Sequence, residues 1–271
     1  MISRRHILAG TAGGLVGFSS TLVNAKASDK VIAKSVATAL SGDRFILAGK
    51  ETKLADIIAP EMKTPIGRHA GNYFQSFLDL SEHPFMTIIS EDRWQKRLVY
   101  LSMSESYAID DTVQAKLVAN GLCRVFPQSD QFHFILHLMQ LEQKAYEAGK
   151  GVWALPSFRH HNATDEIRYG RYGLVEGEVR EATIRQSRLY LNFGEDWRRD
   201  FTVTLTKAKA RQWGLDYDEW EGLKGAHLLA RGYIDKINGP SIDLIHPLQI
   251  VSAESVPKPL FSFVPKKHQV H

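Results

Sequence analysis

Between Leu40 and Glu61 the chain reads LSGDRFILAGKETKLADIIAPE, which sets the carboxylates of Asp43, Asp56 and Glu61 and the ammonium of Lys53 into an apolar frame. Carboxylates can hold a hard divalent cation or orient and deprotonate a water. An ammonium can hold a phosphate as a point charge. Hydrolysis of a phosphodiester calls on all three, with guanidinium forks to take up charge in the transition state. Other groupings carry less. His133 and His137 are four apart on an expected helix, as a metal pair would be, but no Glu follows His133 and no third ligand is evident, so surface or packing roles are favoured. Cys123 is the single cysteine; set between Leu122 and Arg124, it reads as an inert buried thiol. Tyr190, Phe193, Trp197, Arg198, Arg199 and Phe201 interleave aromatics with cations, a pattern suited to single strands. Strand alternation sends several of those aromatics to a core, and Asp196 and Asp200 offset the arginines.

Two sets of strands must position these groups. Apolar alternation predicts strands at 45–47 and 54–58 around a turn at 48–51, then an amphipathic helix over 67–80 and a strand pair at 85–89 and 98–101. In an extended 54–58 strand Asp56 and Ile58 share a face, and Asp56 reads as a surface or turn-flanking acid. Helices are expected at 112–120 and 133–148, the second ended by Gly149 and Gly151. Residues 156–172, PSFRHHNATDEIRYGRY, are polar and non-periodic and are expected to be a linker. Strands follow at 174–184, 188–193, 201–205, 226–234 and 241–251, with a helix at 208–213. Five strands with a helix between the third and fourth is the order of an OB-fold barrel. This places a second OB-like domain at 173–255 and a tail at 256–271. The fold class expected is mainly β with helices, α+β.

The 271 residues give room for two domains. The first 27 read as an export signal. Ser3-Arg4-Arg5-His6-Ile7-Leu8 fits the twin-arginine pattern, and Ala25-Lys26-Ala27 offers a cleavage site before Ser28. The apolar run between them is broken by Gly, Ser and Thr, too weak for a stable membrane span. A periplasmic or secreted protein is expected, exported by the twin-arginine route. Three of the 34 Lys and Arg lie in this segment, leaving 31 against 30 Asp and Glu. The mature chain therefore lacks the strong positive field of a general nucleic-acid binder, and a nucleic-acid partner would need a local patch.

Four motifs in order resemble the staphylococcal nuclease-like (thermonuclease) family over roughly residues 30–155, which makes 28–155 the expected first domain. They are the Leu40–Glu61 hairpin; Glu91-Asp92-Arg93-Trp94-Gln95-Lys96-Arg97-Leu98; VQAKLVANGLCRV at 113–125; and EQKAYEAGKGVW at 142–153. The resemblance implies a Greek-key OB barrel with helices packed around it. It also implies site positions. Asp43 stands at one metal-ligand position and Ile58, which cannot coordinate, at the second; Asp56, two residues earlier on the same face, could compensate only across a backbone displacement of about 6 to 7 Å. Ser41 replaces a further acid. Glu61 keeps the general-base position, with a carboxylate capping the following turn as the equal alternative. Lys53 and Lys96 stand where the family has its two arginines, keeping charge without the bidentate fork. Arg97, adjacent to Lys96, is a candidate binding residue; on a strand it should point to the opposite face, and a one-residue change in the turn would bring it round. Trp94, the other candidate binding residue, could stack on a base or simply cover the barrel mouth. A Ca²⁺ site with one carboxylate is poor.

These departures point to an exported thermonuclease-like protein that binds nucleic acid or another ligand with little or no catalysis. An active Ca²⁺-dependent phosphodiesterase is the alternative, since Asp43, Glu61, Lys53 and Lys96 keep suitable charges. A structural envelope component is a third reading, favoured by the near-neutral mature chain.

Overall fold

The computed structural model describes residues 30–31, 37–80, 84–91, 96–104, 108–196, 198–254 and 258–261. The expected signal at 1–27, Trp94, Trp197 and most of the expected tail lie outside the described residues. Among the described residues no helix is long and apolar enough to cross a membrane.

The first half runs β1 (Lys30–Val31), β2 (Ala37–Ala39), β3 (Arg44–Leu47), β4 (Lys50–Leu54), β5 (Ile57–Ile58), α1 (Pro65–Leu80), β6 (Phe85–Glu91), β7 (Arg97–Ser102), α2 (Val113–Ala119), β8 (Arg124–Val125) and α3 (Phe132–Glu147). The β3–β4 turn is tight because Ala48 and Gly49 both take positive φ. Thr64 starts α1, its hydroxyl accepting from the Gly67 N–H at 3.0 Å with Pro65 in the first turn. The stripe Ala70, Phe74, Phe77 and Leu78 then buries one face of the helix, with Phe74 edge-on to Phe45 at 5.4 Å.

The second half runs β9 (His161–Asn162), β10 (Arg171–Glu178), β11 (Glu181–Ile184), β12 (Arg188–Asn192), β13 (Thr202–Thr206), α4 (Lys207–Trp213), α5 (Tyr217–Glu221), β14 (His227–Lys236), β15 (Pro240–Asp243) and β16 (Ile250–Ser252). The molecule is thus mixed α+β, mostly sheet. Among the described residues the main sheet of the first half has the order β1-β6-β7-β4-β3-β2. That of the second, without the short β9, has the order β10-β14-β15-β13-β12-β11. The two correspond place for place, including one parallel pair in each, β4 with β7 and β13 with β15.

No pairing among the described residues joins the two ends of either order, so the sheets are open where closed barrels were expected. The physical reason in the second half is that the expected strand 174–184 is broken at Val179 and Arg180. Val179 N–H donates to Ala226 and Arg180 N–H to Asn192, so the chain leaves β14 as partner and takes up β12. Two other expected strands also break. The 54–58 run turns at Asp56, whose φ is 59°. The 241–251 run stops at Asp243 and re-forms at Ile250 after a 3₁₀ turn, Pro247–Gln249, that His246 caps. The short α5 was not expected; Asp216 caps it by accepting from Asp218 N–H.

The described apolar residues form two clusters. One gathers Phe45, Leu54, Phe74, Tyr100, Phe134 and Trp153, and it also takes Tyr172, Leu174, Leu229, Leu248 and Val251 from the second half. The other holds Val175, Leu189, Leu191, Val203, Leu205, Trp220 and Ile242. Neighbours Leu174 and Val175 point into different clusters because a strand alternates its faces. The 156–172 segment is tied to both halves. Pro156–Phe158 is a 3₁₀ turn, β9 pairs with β10, and His160 stacks on Tyr146 of α3 at 4.1 Å.

Candidate functional site

A cleft of about 670 Å³ opens at the junction of the halves. The first half contributes Ser41, Asp43, Arg44, Lys53, Ile58, Glu61, Lys63 and Arg124, and the later segment contributes Phe158, Arg171, Tyr172 and Tyr233. The structure therefore brings Asp43, Lys53, Ile58 and Glu61 together. Lys96 and Arg97 are not among the described lining residues. Lys96 is exposed just before β7. Arg97 is committed to Glu91, its cross-strand neighbour, at 2.6 Å.

Asp43 sits in a turn pressed against α1. A side chain at Gly42 would meet the Ala70 Cβ at 2.7 Å, so the position admits glycine alone without movement. The Asp43 carboxylate is buried and accepts from the Ser41 hydroxyl at 2.7 Å. Lys53 reaches Gln128 Oε1 at 3.0 Å and lies 5.2 Å from the Phe126 ring centroid. Burial holds the Lys53 pKa below its ordinary 10.5, while Asp43 pulls it up and Arg44 pushes it down. Glu61 is exposed and its carboxylate pairs with Lys63; its carbonyl, not its carboxylate, takes the turn hydrogen bond from Thr64.

Asp56 belongs to another arrangement altogether. The left-handed turn at this residue carries it away from the face of Ile58 and into the interior, where it is fully buried. It accepts from Gln128 N–H at 2.7 Å, Ser129 N–H at 2.8 Å and Ser129 Oγ at 2.6 Å, and from the Tyr100 hydroxyl. The expectation of a surface acid is corrected: Asp56 staples β4 and β7 to the 128–129 loop. Burial, and then the Asp56 charge, drive the Tyr100 pKa well above its usual value.

The position that the resemblance gives to a second carboxylate is opposed by a cation. Ile58 and Arg124 are direct partners in the β5–β8 ladder, so their side chains share a face. Arg124 is buried, with its guanidinium 5.0 Å from the Phe158 ring and 4.8 Å from the Tyr172 ring, and it donates to the Tyr172 carbonyl at 3.1 Å. Burial lowers its pKa, with Tyr172 and Glu142 opposing. Arg171 adds a second guanidinium, one nitrogen 2.7 Å from His161 Nε2.

These donors do not fit a calcium ion. Six or more oxygens are wanted, yet Ile58 supplies none, Asp56 is turned away and saturated, and Asp43 is already bonded to Ser41. Among the described residues there is no group of three or more His, Cys, Asp or Glu able to hold a metal. His137 instead pairs with Asp110 at 2.7 Å. Five cations, Arg44, Lys53, Lys63, Arg124 and Arg171, line the cleft against the two carboxylates of Asp43 and Glu61.

Arg124, Arg171, Tyr172 and Tyr233 were missed in the sequence. The only signal was the cation-and-aromatic run Arg168-Tyr169-Gly170-Arg171-Tyr172, which lies in a segment without periodicity. Cys123 is fully buried as expected, and burial, ahead of Asp43, drives its thiol pKa well above the usual value. Of the second-half aromatics, Phe193 and Phe201 are core and Tyr190 is half-buried.

Residues 51–155 match the family described as Staphylococcal nuclease homologue. The chain therefore carries a staphylococcal nuclease-like domain, as its motifs indicated. The match takes in Lys53, Ile58, Glu61, Lys96, Arg97 and Arg124 and begins after Asp43. Comparison with curated proteins finds no match.

Proposed function

We propose that this cleft binds a phosphate-bearing polyanion, nucleic acid in the first place, with little or no calcium-dependent hydrolysis. The observation that carries the reading is the Ile58–Arg124 pair: a guanidinium stands across from the position where a metal-dependent site needs a second carboxylate. A cation there repels a metal ion and attracts a phosphate. Aromatic rings of Phe158, Tyr172 and Tyr233 beside the cations suit a ligand that carries bases between phosphates. The near-balance of charge over the chain makes this a local patch.

On the same reading both halves are OB-like. In each, two consecutive segments occupy opposite ends of the strand order, β1 and β2 in the first half and β10 and β11 in the second. This is the relation expected when the first strand of a barrel bends and serves both edges. Residues 1–27 are a twin-arginine export signal, and the mature protein works in the periplasm or outside the cell.

Fluorescence anisotropy of a labelled oligothymidylate with the mature chain tests the function. Binding should weaken steeply with salt, and Arg171→Ala should weaken it about tenfold, the loss of one good charge-assisted contact. Binding that ignores both salt and Arg171→Ala would reject the cleft as a polyanion site.

A further inference from the structure

We propose that the polar face of the second-half sheet is a separate binding site for a neutral carbohydrate, with Tyr190 as the surface on which a sugar ring lies. The strands β11, β12, β13 and β15 alternate strictly. Leu189, Leu191, Val203, Leu205 and Ile242 face the core. Thr183, Tyr190, Asn192, Thr202, Thr204 and Ser241 share the other face, aligned by the pairs Thr183–Tyr190, Tyr190–Thr204, Asn192–Thr202 and Thr202–Ser241.

That face is not a flat solvated surface. It is the floor of a cleft of about 310 Å³ overhung by Ile237 and Asn238 at the β14–β15 turn. A sheet face turned to open water leaves its polar side chains wet. Here Asn192, Thr202 and Thr204 are only 7–8% exposed and Ser241 3%. Recessed hydroxyl and amide groups beside an aromatic ring and an aliphatic side chain, here Tyr190 and Ile237, are what a small-ligand site presents.

The charges choose the ligand class. Glu181 and Arg185 are the charged lining residues among those described, and they cancel. Arg188 beside the cleft is already bonded to Asp243 at 2.7 Å and to Thr204 at 3.1 Å. With no surplus of positive charge, a phosphate chain gains little. Thr202 donates to Asn192 Oδ1 at 3.2 Å and Thr204 to Asp243 at 2.8 Å, so a neutral molecule dense in hydroxyls would bond to the lone pairs and amide protons that these contacts leave over. Its apolar ring face can cover a tyrosine, which offers a rigid amphipathic surface at low entropic cost. The Tyr190 backbone is anchored to the core, its carbonyl accepting from the buried Trp220 Nε1 at 3.3 Å.

The test is amide chemical-shift mapping on the full mature chain with cellotriose, maltotriose and N,N′,N″-triacetylchitotriose, and with oligothymidylate as the polyanion. At least one sugar should shift Thr183, Asn192 and Thr202, and Tyr190→Ala should weaken its binding about tenfold at unchanged melting temperature. If Tyr190→Ala does not fold, Thr183→Val at the sheet edge should weaken binding without unfolding the chain. The proposal falls if no sugar shifts these residues, if oligothymidylate shifts them instead, or if sugar affinity survives substitution of the floor.

Discussion

Arg231 of β14 meets Glu142 of α3 at 2.5 Å, and the two side chains are 2% and 5% exposed. The pair locks the second half onto the first from inside. The other Glu142 oxygen accepts from Val125 N–H at 2.7 Å, next to Arg124 on β8. The ionic lock therefore also holds the strand that presents Arg124 to the cleft, which ties the geometry of the site to the way the halves are joined.

Removing one partner strands the other charge in the interior. Glu142→Gln should lower unfolding stability by about 3–5 kcal/mol, whereas Glu142→Met with Arg231→Met should cost far less or nothing. Urea unfolding of the two variants beside the parent checks this. Equal losses in both would mean that packing, not the stranded charge, sets the cost.

The Asp56 staple makes a second stability prediction. Asp56→Ala leaves four buried or half-buried donors without their acceptor and should cost at least about 3 kcal/mol. Asp56→Gly loses the same bonds but accepts the positive φ, so it should be milder by about 1 kcal/mol. Thermal melts of the pair decide it, and identical melting temperatures would remove the backbone part of the argument.

Much of this was legible in the sequence where periodicity governs. The α1 and α3 helices and the β6–β7 and β12–β13 strands follow their apolar patterns to within a few residues. The site was legible where a motif fixes the backbone, as at Asp43, Lys53 and Glu61. What escaped depends on positive φ or on long-range pairing. The turn at Asp56 leaves no mark in a hydrophobic pattern, because Asp tolerates the left-handed region without being a glycine. Arg124 and Arg171 are 47 positions apart in the chain, and only the docking of the halves puts both in one cleft. Open strand orders were missed because Val179, and Leu244 and Ile245 after Asp243, let the expected strands read on across their breaks.

Restoring a carboxylate at position 58 should not restore a metal site. Ile58→Asp places the new charge opposite Arg124, and the two should pair. Calorimetry should find no gain in calcium affinity, together with weaker oligothymidylate binding as the guanidinium is neutralised. Tight calcium binding by this variant would show that Arg124 leaves the position free.

Binding should also weaken at alkaline pH. The Lys53 pKa is depressed chiefly by burial, so in the folded chain its charge is lost on the acid side of 10.5. Anisotropy at rising pH should show affinity falling below that point, and Lys53→Arg should remove the fall because a guanidinium stays charged. The sign for stability is the reverse. The unfolded chain holds the Lys53 proton more tightly, so this residue's contribution to stability improves as pH rises through the lowered pKa toward 10.5.

The central claim is that the cleft binds phosphate without needing a metal to do so. Its most direct measurement follows a labelled oligothymidylate with the mature protein, reading anisotropy and cleavage together, once with excess calcium and once with chelator. At matched ionic strength the account predicts binding no tighter with calcium than with chelator, and little or no cleavage in either. Tighter binding with calcium, with cleavage that chelator and Asp43→Ala both abolish, would contradict it.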